Sequence, residues 1–308
     1  MRVRDVLMLC AIGTAGAHAL AQTPSPEIFL APFSEGEGRT IRIGFIGLQR
    51  VGIRVGRPVV NITNNPGYDN QPHFLPDSSA LLFSSNRDGK QNDIYRYDLA
   101  SKSVVQVTRT PENEYSPTVT DDGRTFTTVR GAEQRLWRFN LDGSDAGLAW
   151  AHSGLIGYHA WVSPLQIAAF ILGAQNAPNT LQLIDLRTGA SDVIESSIGR
   201  SLLIRPRRGT VTFVHKPQGG SWMIKELDAA TRAVYTIAPT VEGSEDLAWT
   251  PGGAIVMGLK SKLFFWEEST DRWVEVADLA KAGVANITRL TVSPDGRWIA
   301  IVSQPAGR

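Results

Sequence analysis

Six pairs of residues stand at the same point of a repeating pattern, and any chemistry in this chain depends on whether they meet. They are Asn70 and Gln71, Tyr115 and Ser116, Gly157 and Tyr158, Arg200 and Ser201, Glu245 and Asp246, and Thr288 and Arg289. The guanidinium groups of Arg200 and Arg289 can clamp a carboxylate through paired N–H donors, and Glu245 with Asp246 can receive an amine or neutralise those arginines. Tyr115, Tyr158 and Arg200 would serve a glycan- or metabolite-binding module as platform and clamp. Asn70, His159, Glu245 and Asp246 carry the oxygen and nitrogen donors a metal-dependent hydrolase or lactonase would use, yet no paired spacing such as His-x-x-x-His joins them. Loops that follow add Asn86, Arg87, Arg130, His215, Lys216, Lys260 and Lys262, while His152 lies in a loop with no identifiable partner. Asp121-Asp122-Gly123 reads as a tight turn, because Asp and Gly suit one.

What must position these residues is a repeat. Six times a buried-looking strand runs into a turn, and a second apolar strand follows. The second turn residues are Pro76, Asp121, Pro164, Pro206, Pro251 and Pro294, at steps of 45, 43, 42, 45 and 43 residues. That is the period of a propeller blade. Alternation at period two marks the segments as strands, as in Ala80 to Ser84 and Trp298 to Val302. After Val302 the chain nearly ends, so the sixth blade lacks its outer strands. Residues 27–33 and 57–63 match a third and a fourth strand, and the reading is an all-β, six-bladed propeller whose last blade the N-terminal strands complete. Residues 22–308 are read as one domain, of which 22–63 supplies those outer strands. Between them, Ile41-Arg42-Ile43-Gly44 recurs as Ile53-Arg54-Val55-Gly56, which is expected to be a bulging loop without a site. Trp137, Trp222, Trp266 and Trp298 are expected to fill space between blades. His73, Thr118, Ala160, Leu203, Ala248 and Thr291 are expected to line a narrowing channel below the pairs.

In Asn61 to Asp77, in Glu114-Tyr115-Ser116-Pro117, in Ser84 to Gly89 continuing to Asp93-Ile94-Tyr95, and in Ser293-Pro294-Asp295-Gly296, the chain resembles the TolB-type propeller repeat. The resemblance covers roughly residues 57–304. It implies a six-bladed secreted propeller without intrinsic catalysis, and a partner role in the envelope. Two departures stand beside it: no segment is long enough for the α/β domain that precedes the propeller of TolB, and no hydrolase domain follows as in prolyl-oligopeptidase-like peptidases. No Gly-x-Ser-x-Gly elbow occurs, so serine-hydrolase chemistry has no support.

Residues 1–21 carry Arg2 and Arg4, an apolar run from Val6 to Ala17 and the close Ala19-Leu20-Ala21, the three parts of a cleavable signal peptide. The run is too short to span a membrane. Cleavage after Ala21 removes Cys10, the one cysteine, and takes Arg2, Arg4 and Asp5 from 31 basic and 30 acidic residues, leaving 29 of each. Nucleic acid is thus excluded as a partner class on charge. The expectation is a periplasmic or secreted monomer with no cofactor, holding an envelope protein or peptide at the channel mouth through Asn70, Gln71, Tyr115, Tyr158, Arg200, Glu245, Asp246 and Arg289. A small ligand at the same mouth is the alternative.

Overall fold

The computed structural model describes residues 25–37, 41–43, 46–48, 51–150 and 155–304. Five antiparallel sheets of four strands follow one another along the chain, and a sixth joins its two ends. Their inner strands are Asp69–Phe74, Glu114–Val119, Ile156–Ser163, Ile198–Ile204, Leu247–Trp249 and Asn286–Val292, for blades 1 to 6. This is the six-bladed propeller the repeat predicts. Each inner strand enters from a loop face and leaves through the turn on the opposite face. The second strands are buried on both sides because neighbouring blades cover them: every residue of Ala80–Ser85 is buried. The fourth strands form the rim, where Val105 and Val193 are exposed; those of blades 1 and 6 are short, which limits edge pairing there.

Blade 6 is composite. Glu27–Glu37 pairs antiparallel with Trp298–Gln304, in a register running from Glu27 opposite Ser303 to Pro32 opposite Trp298. Val60 and Asn61 pair in turn with Leu30 and Phe29. The two faces of this first strand enter different cores. Phe29 and Ala31 pack with Val256, Phe265, Leu290, Ile299 and Ile301 against blade 5, whereas Ile28 and Leu30 pack with Phe83, Tyr95, Tyr97 and Val302 against blade 1. Thr63 Oγ1 accepts from the Ile28 amide at 3.0 Å, tying the returning segment to the start of the strand.

Two tryptophans make the same blade-to-blade bond, at the interfaces of blades 2 with 3 and 4 with 5. Trp161 Nε1 donates to Thr127 Oγ1 at 3.1 Å, and Trp249 Nε1 to Thr212 Oγ1 at 3.0 Å, each Thr lying on the second strand of the preceding blade. Trp266 is buried, and Trp137, Trp222 and Trp298 pack partly buried against neighbouring cores, as expected.

The segment expected to be a bulging loop is stranded instead. Glu27–Glu37 runs on past the turn face to pair with Val51–Val55, and Ile41–Ile43 pairs with Ile46–Leu48. The alternation of Ile and Arg that looked like a local duplication is the strand pattern itself. Glu35 fastens this hairpin to the blade 5 turn by accepting from the Gly252 amide at 2.8 Å. It projects on the side opposite the mouth. The signal peptide and His152 lie outside the described residues, among which no helix is long and apolar enough to cross a membrane.

Ring closure therefore rests on one buried strand, and its side chains are the place to probe it. Ile28→Ala, at a fully buried position, is expected to cost about 2–5 kcal/mol in urea unfolding. Val60→Ala, on the exposed partner strand, should change stability by less than about 0.5 kcal/mol. Equal effects from the two would contradict closure by this strand.

Candidate functional site

The second member of every pair points at the axis. Gln71, Ser116, Tyr158, Ser201, Asp246 and Arg289 all line one cavity of about 150 Å³ at the loop-face end of the channel. Bulges aim them there, since one extra residue turns a side chain off the regular alternation. The pairing register shifts between Asn70 and His73, between Tyr115 and Thr118, between Ile156 and Tyr158, between Ile198 and Leu202, and between Ile287 and Arg289. Gln71 and Ser116 hold positive φ of 59° and 54° in the first two of these. Gln71 Oε1 accepts from the Ser116 amide at 2.8 Å and from Ser84 Oγ at 3.0 Å, so the bulges of blades 1 and 2 support each other. In blade 3 the shift falls before Tyr158. Of the residues expected below the pairs, His73, Thr118, Leu203 and Thr291 line the cavity, whereas Ala160 and Ala248 are buried in cores between blades and His159 lines it instead.

Of the first members, only Arg200 reaches the cavity. Asn70 Oδ1 is taken by the neighbouring Gln71 amide at 2.7 Å, and Tyr115 Oη accepts from Asn92 Nδ2 at 2.9 Å. Blades 4 to 6 form an arc of ions. Arg200 Nε donates to Asp246 Oδ2 at 2.7 Å, and its Nη2 donates to the Thr288 carbonyl at 2.7 Å, passing over blade 5. Arg289 Nη1 stands 3.6 Å from Asp246 Oδ1, and its Nη2 donates to Tyr158 Oη at 2.7 Å. Blades 3 and 6 are opposite each other, so that last bond spans the channel. Glu245 sits behind, 2.7 Å from Lys216 Nζ and 3.5 Å from Arg200. Burial works to raise the Glu245 carboxyl, but the Lys216 hydrogen bond and the charges of Arg200 and Lys216 outweigh it and hold it below the usual range. Gly199 makes room for this pair, since a Cβ there would lie 2.9 Å from Glu245 Oε2 and 3.0 Å from Lys216 Cδ. The two carboxylates thus serve three cations, with Asp246 shared by both arginines and Glu245 held chiefly by Lys216.

Blades 1 to 3 form a facing arc of tyrosines, and one of them, Tyr68, escaped the sequence reading because it precedes its strand. A sequence signal existed in Gly67-Tyr68. Gly67 has φ 135°, and a Cβ on it would stand 2.3 Å from Asn86 Oδ1, which accepts from the Tyr68 amide at 2.6 Å. Only glycine lets Asn86 close over that turn. The Tyr68 ring meets Tyr115 edge-on with centroids 6.2 Å apart. Burial pushes its phenol up to about 12; the neighbouring Tyr158 and Tyr115 add to the shift, while Arg289 and Arg200 oppose it.

Deeper in the channel stand His73 and His159, both held neutral by burial, the first down to about 4 and the second to about 3. His159 Nε2 shares a 2.6 Å hydrogen bond with Thr127 Oγ1, and its Nδ1 has no partner. The outer loops keep their charges local: Arg87 binds Asp69 at 3.1 Å, Arg130 binds Glu112 at 2.9 Å, and Lys262 binds Glu275 at 2.8 Å. The metal-ligand set does not assemble. Glu245 and Asp246 are engaged by cations, Asn70 by backbone, and no group of three or more His, Cys, Asp or Glu converges among the described residues.

No protein-family model matches the chain, and no curated protein matches it. Solved structures do. A putative TolB from Agrobacterium tumefaciens shares 14% identity over 92% of this chain and 100% of that one, with a TM-score of 0.66. TolB from Acinetobacter baumannii shares 14% over 91% of this chain and 64% of that one, at 0.55. An oligogalacturonate lyase in complex with manganese shares 14% over 83% of each chain, at 0.56. At such identities the likeness is of fold: this chain is a TolB-like six-bladed propeller. Proteins named for different activities share that fold, so it does not assign one.

Three titratable groups beside the mouth, His73, His159 and Glu114, give pH-dependent signatures. The imidazole resonances of His73 and His159 should keep their neutral-form shifts from pH 8 down to 5.5 in an NMR titration; midpoints near 6.5 would contradict the burial described. Glu114, fully buried next to Tyr115, has its carboxyl pushed up to about 7 by burial, against hydrogen bonds from Thr108 and Thr110. Its folded-state pKa lies above the unfolded 4.5, so the stability it lends is complete below about pH 4.5 and is lost as pH rises through about 7. Relative to Glu114→Gln, the wild type should lose roughly 3 kcal/mol across that interval in urea unfolding. Parallel pH profiles would contradict it.

Proposed function

We propose that this chain is an exported, non-catalytic propeller that holds a protein or peptide of the envelope at its loop face, through the channel mouth around Gln71, Tyr158, Arg200, Asp246 and Arg289. The supporting observation is that one inward-pointing polar residue from each blade, five of them aimed by bulges, converges on a single cavity at that face. Rigid sheets that present a polar mouth favour recognition, because little ordering cost is left for binding. The signal-like N-terminus and the TolB-like fold support export and an envelope partner. Catalysis by metal-bound water has less support: the carboxylates it would need are already paired with Arg200, Arg289 and Lys216.

Residues 22–308, immobilised and exposed to an envelope extract, should retain a partner that an Arg200→Ala, Asp246→Ala, Arg289→Ala triple variant does not. The variant's fold is checked by its unfolding transition. Retention should weaken as salt rises from 50 to 500 mM, roughly from partial to near-complete screening of exposed charges. Equal retention by both proteins would place the interface elsewhere.

A further inference from the structure

The mouth has more donors than acceptors. Tyr158 Oη already accepts from Arg289, and Tyr115 Oη already accepts from Asn92, so each phenol has its O–H left to give. Neither O–H, nor that of Tyr68, donates to any described residue. Facing them, Arg200 and Arg289 share Asp246, while Glu245 is largely occupied by Lys216. Three cations against two carboxylates leave one net positive charge. The phenols are half-buried, and a guanidinium beside hydroxyls with an O–H still to give is a place where an anionic oxygen is received by charge-assisted hydrogen bonds. A cation or an amine would meet the wrong sign, and a primary amide would bring its own N–H groups against donors.

We propose that the mouth takes a single carboxylate of its peptide partner, received in the cavity by Arg200, Arg289 and the Tyr158 hydroxyl, with the Tyr68 hydroxyl beside them outside the cavity lining. This rests on the reading of the loop face as the partner-binding surface. One charge matches the one net positive charge of the mouth, and a cavity of about 150 Å³ holds a small planar group and excludes a whole residue chain. The carboxylate has two sources in a peptide, the C-terminus and an acidic side chain.

Three probes separate these, titrated calorimetrically into residues 22–308: acetyl-triglycine as the free acid, the same peptide as its C-terminal amide, and the amide with glutamate as its central residue. One of the two acids, or both, should bind at least ten-fold more tightly than the neutral amide. The stronger acid tells C-terminal from side-chain recognition. A Tyr68→Phe, Tyr158→Phe double variant keeps the rings and removes two donors, and should lose about ten-fold of the acid's affinity while its amide affinity is unchanged. Equal binding of acids and amide, no binding of any probe, or an unaltered preference in the double variant would overturn the carboxylate. If partner capture still depended on Arg200, Asp246 and Arg289, the loop-face reading would survive that failure. If capture did not, both would fall.

Discussion

Everything at the mouth depends on the antiparallel pairing of the first described strand with the last. A propeller opened within blade 6, between its C-terminal strand pair and the N-terminal strands that lead into blade 1, would expose apolar residues and lose the geometry that brings opposite blades across a common axis. Glu27 to Pro32 prevents this by pairing along the length of Trp298–Gln304 while wedging Phe29 and Ala31 into one core and Ile28 and Leu30 into the next. The sixth blade is as well buried as the others, with Ile28, Ala31, Ile299, Ala300 and Ile301 fully enclosed. Arg289 lies on this composite blade, and its bond to Tyr158 on the far side of the channel exists only in a closed ring.

Within that frame, the inner strands depart from regularity where they meet the loop face. Regular alternation would point every other side chain into a blade interface, which is apolar. The bulges turn one polar residue inward in each of five blades, and glycines at 67 and 199 let side chains approach closely enough to fix the result. The outcome is asymmetric: neutral Gln71, Ser116 and Tyr158 line the cavity from blades 1 to 3, and the charged Arg200, Asp246 and Arg289 line it from blades 4 to 6. A set of charges buried this far is costly unless paired, which explains why Asp246 serves two arginines and Glu245 serves Lys216.

Much of this was legible in the residues. The 42- to 45-residue steps between turns carry the blade number, and the match of residues 27–33 and 57–63 to outer strands carries the closure. The inward set was legible because it holds a constant offset from an apolar position that is bulky in all six repeats. What was not legible depends on local geometry that alternation does not encode. In blade 3 His159 faces the cavity and Ala160 is buried between blades, the reverse of what the repeat alignment predicts. Tyr68 belongs to a loop, where no periodicity marks its direction, and only the glycine before it hints at a constrained turn. Whether Arg200 and Arg289 stood free or paired could not follow from their spacing, since it depends on which rotamers reach across the axis. The hairpin formed by residues 33–55 was hidden because a repeated Ile-Arg alternation fits two strands as well as it fits a duplicated loop.

The central claim is that the loop face, and not the turn face, meets the partner. In-cell photocrosslinking tests it most directly, with a photoreactive amino acid placed singly at exposed positions of either face: Asn113 and Glu242 on the loop face, Asp121 and Leu165 on the turn face. The account predicts a discrete adduct from Asn113 or Glu242 and none from Asp121 or Leu165. Adducts from the turn-face positions alone would contradict it.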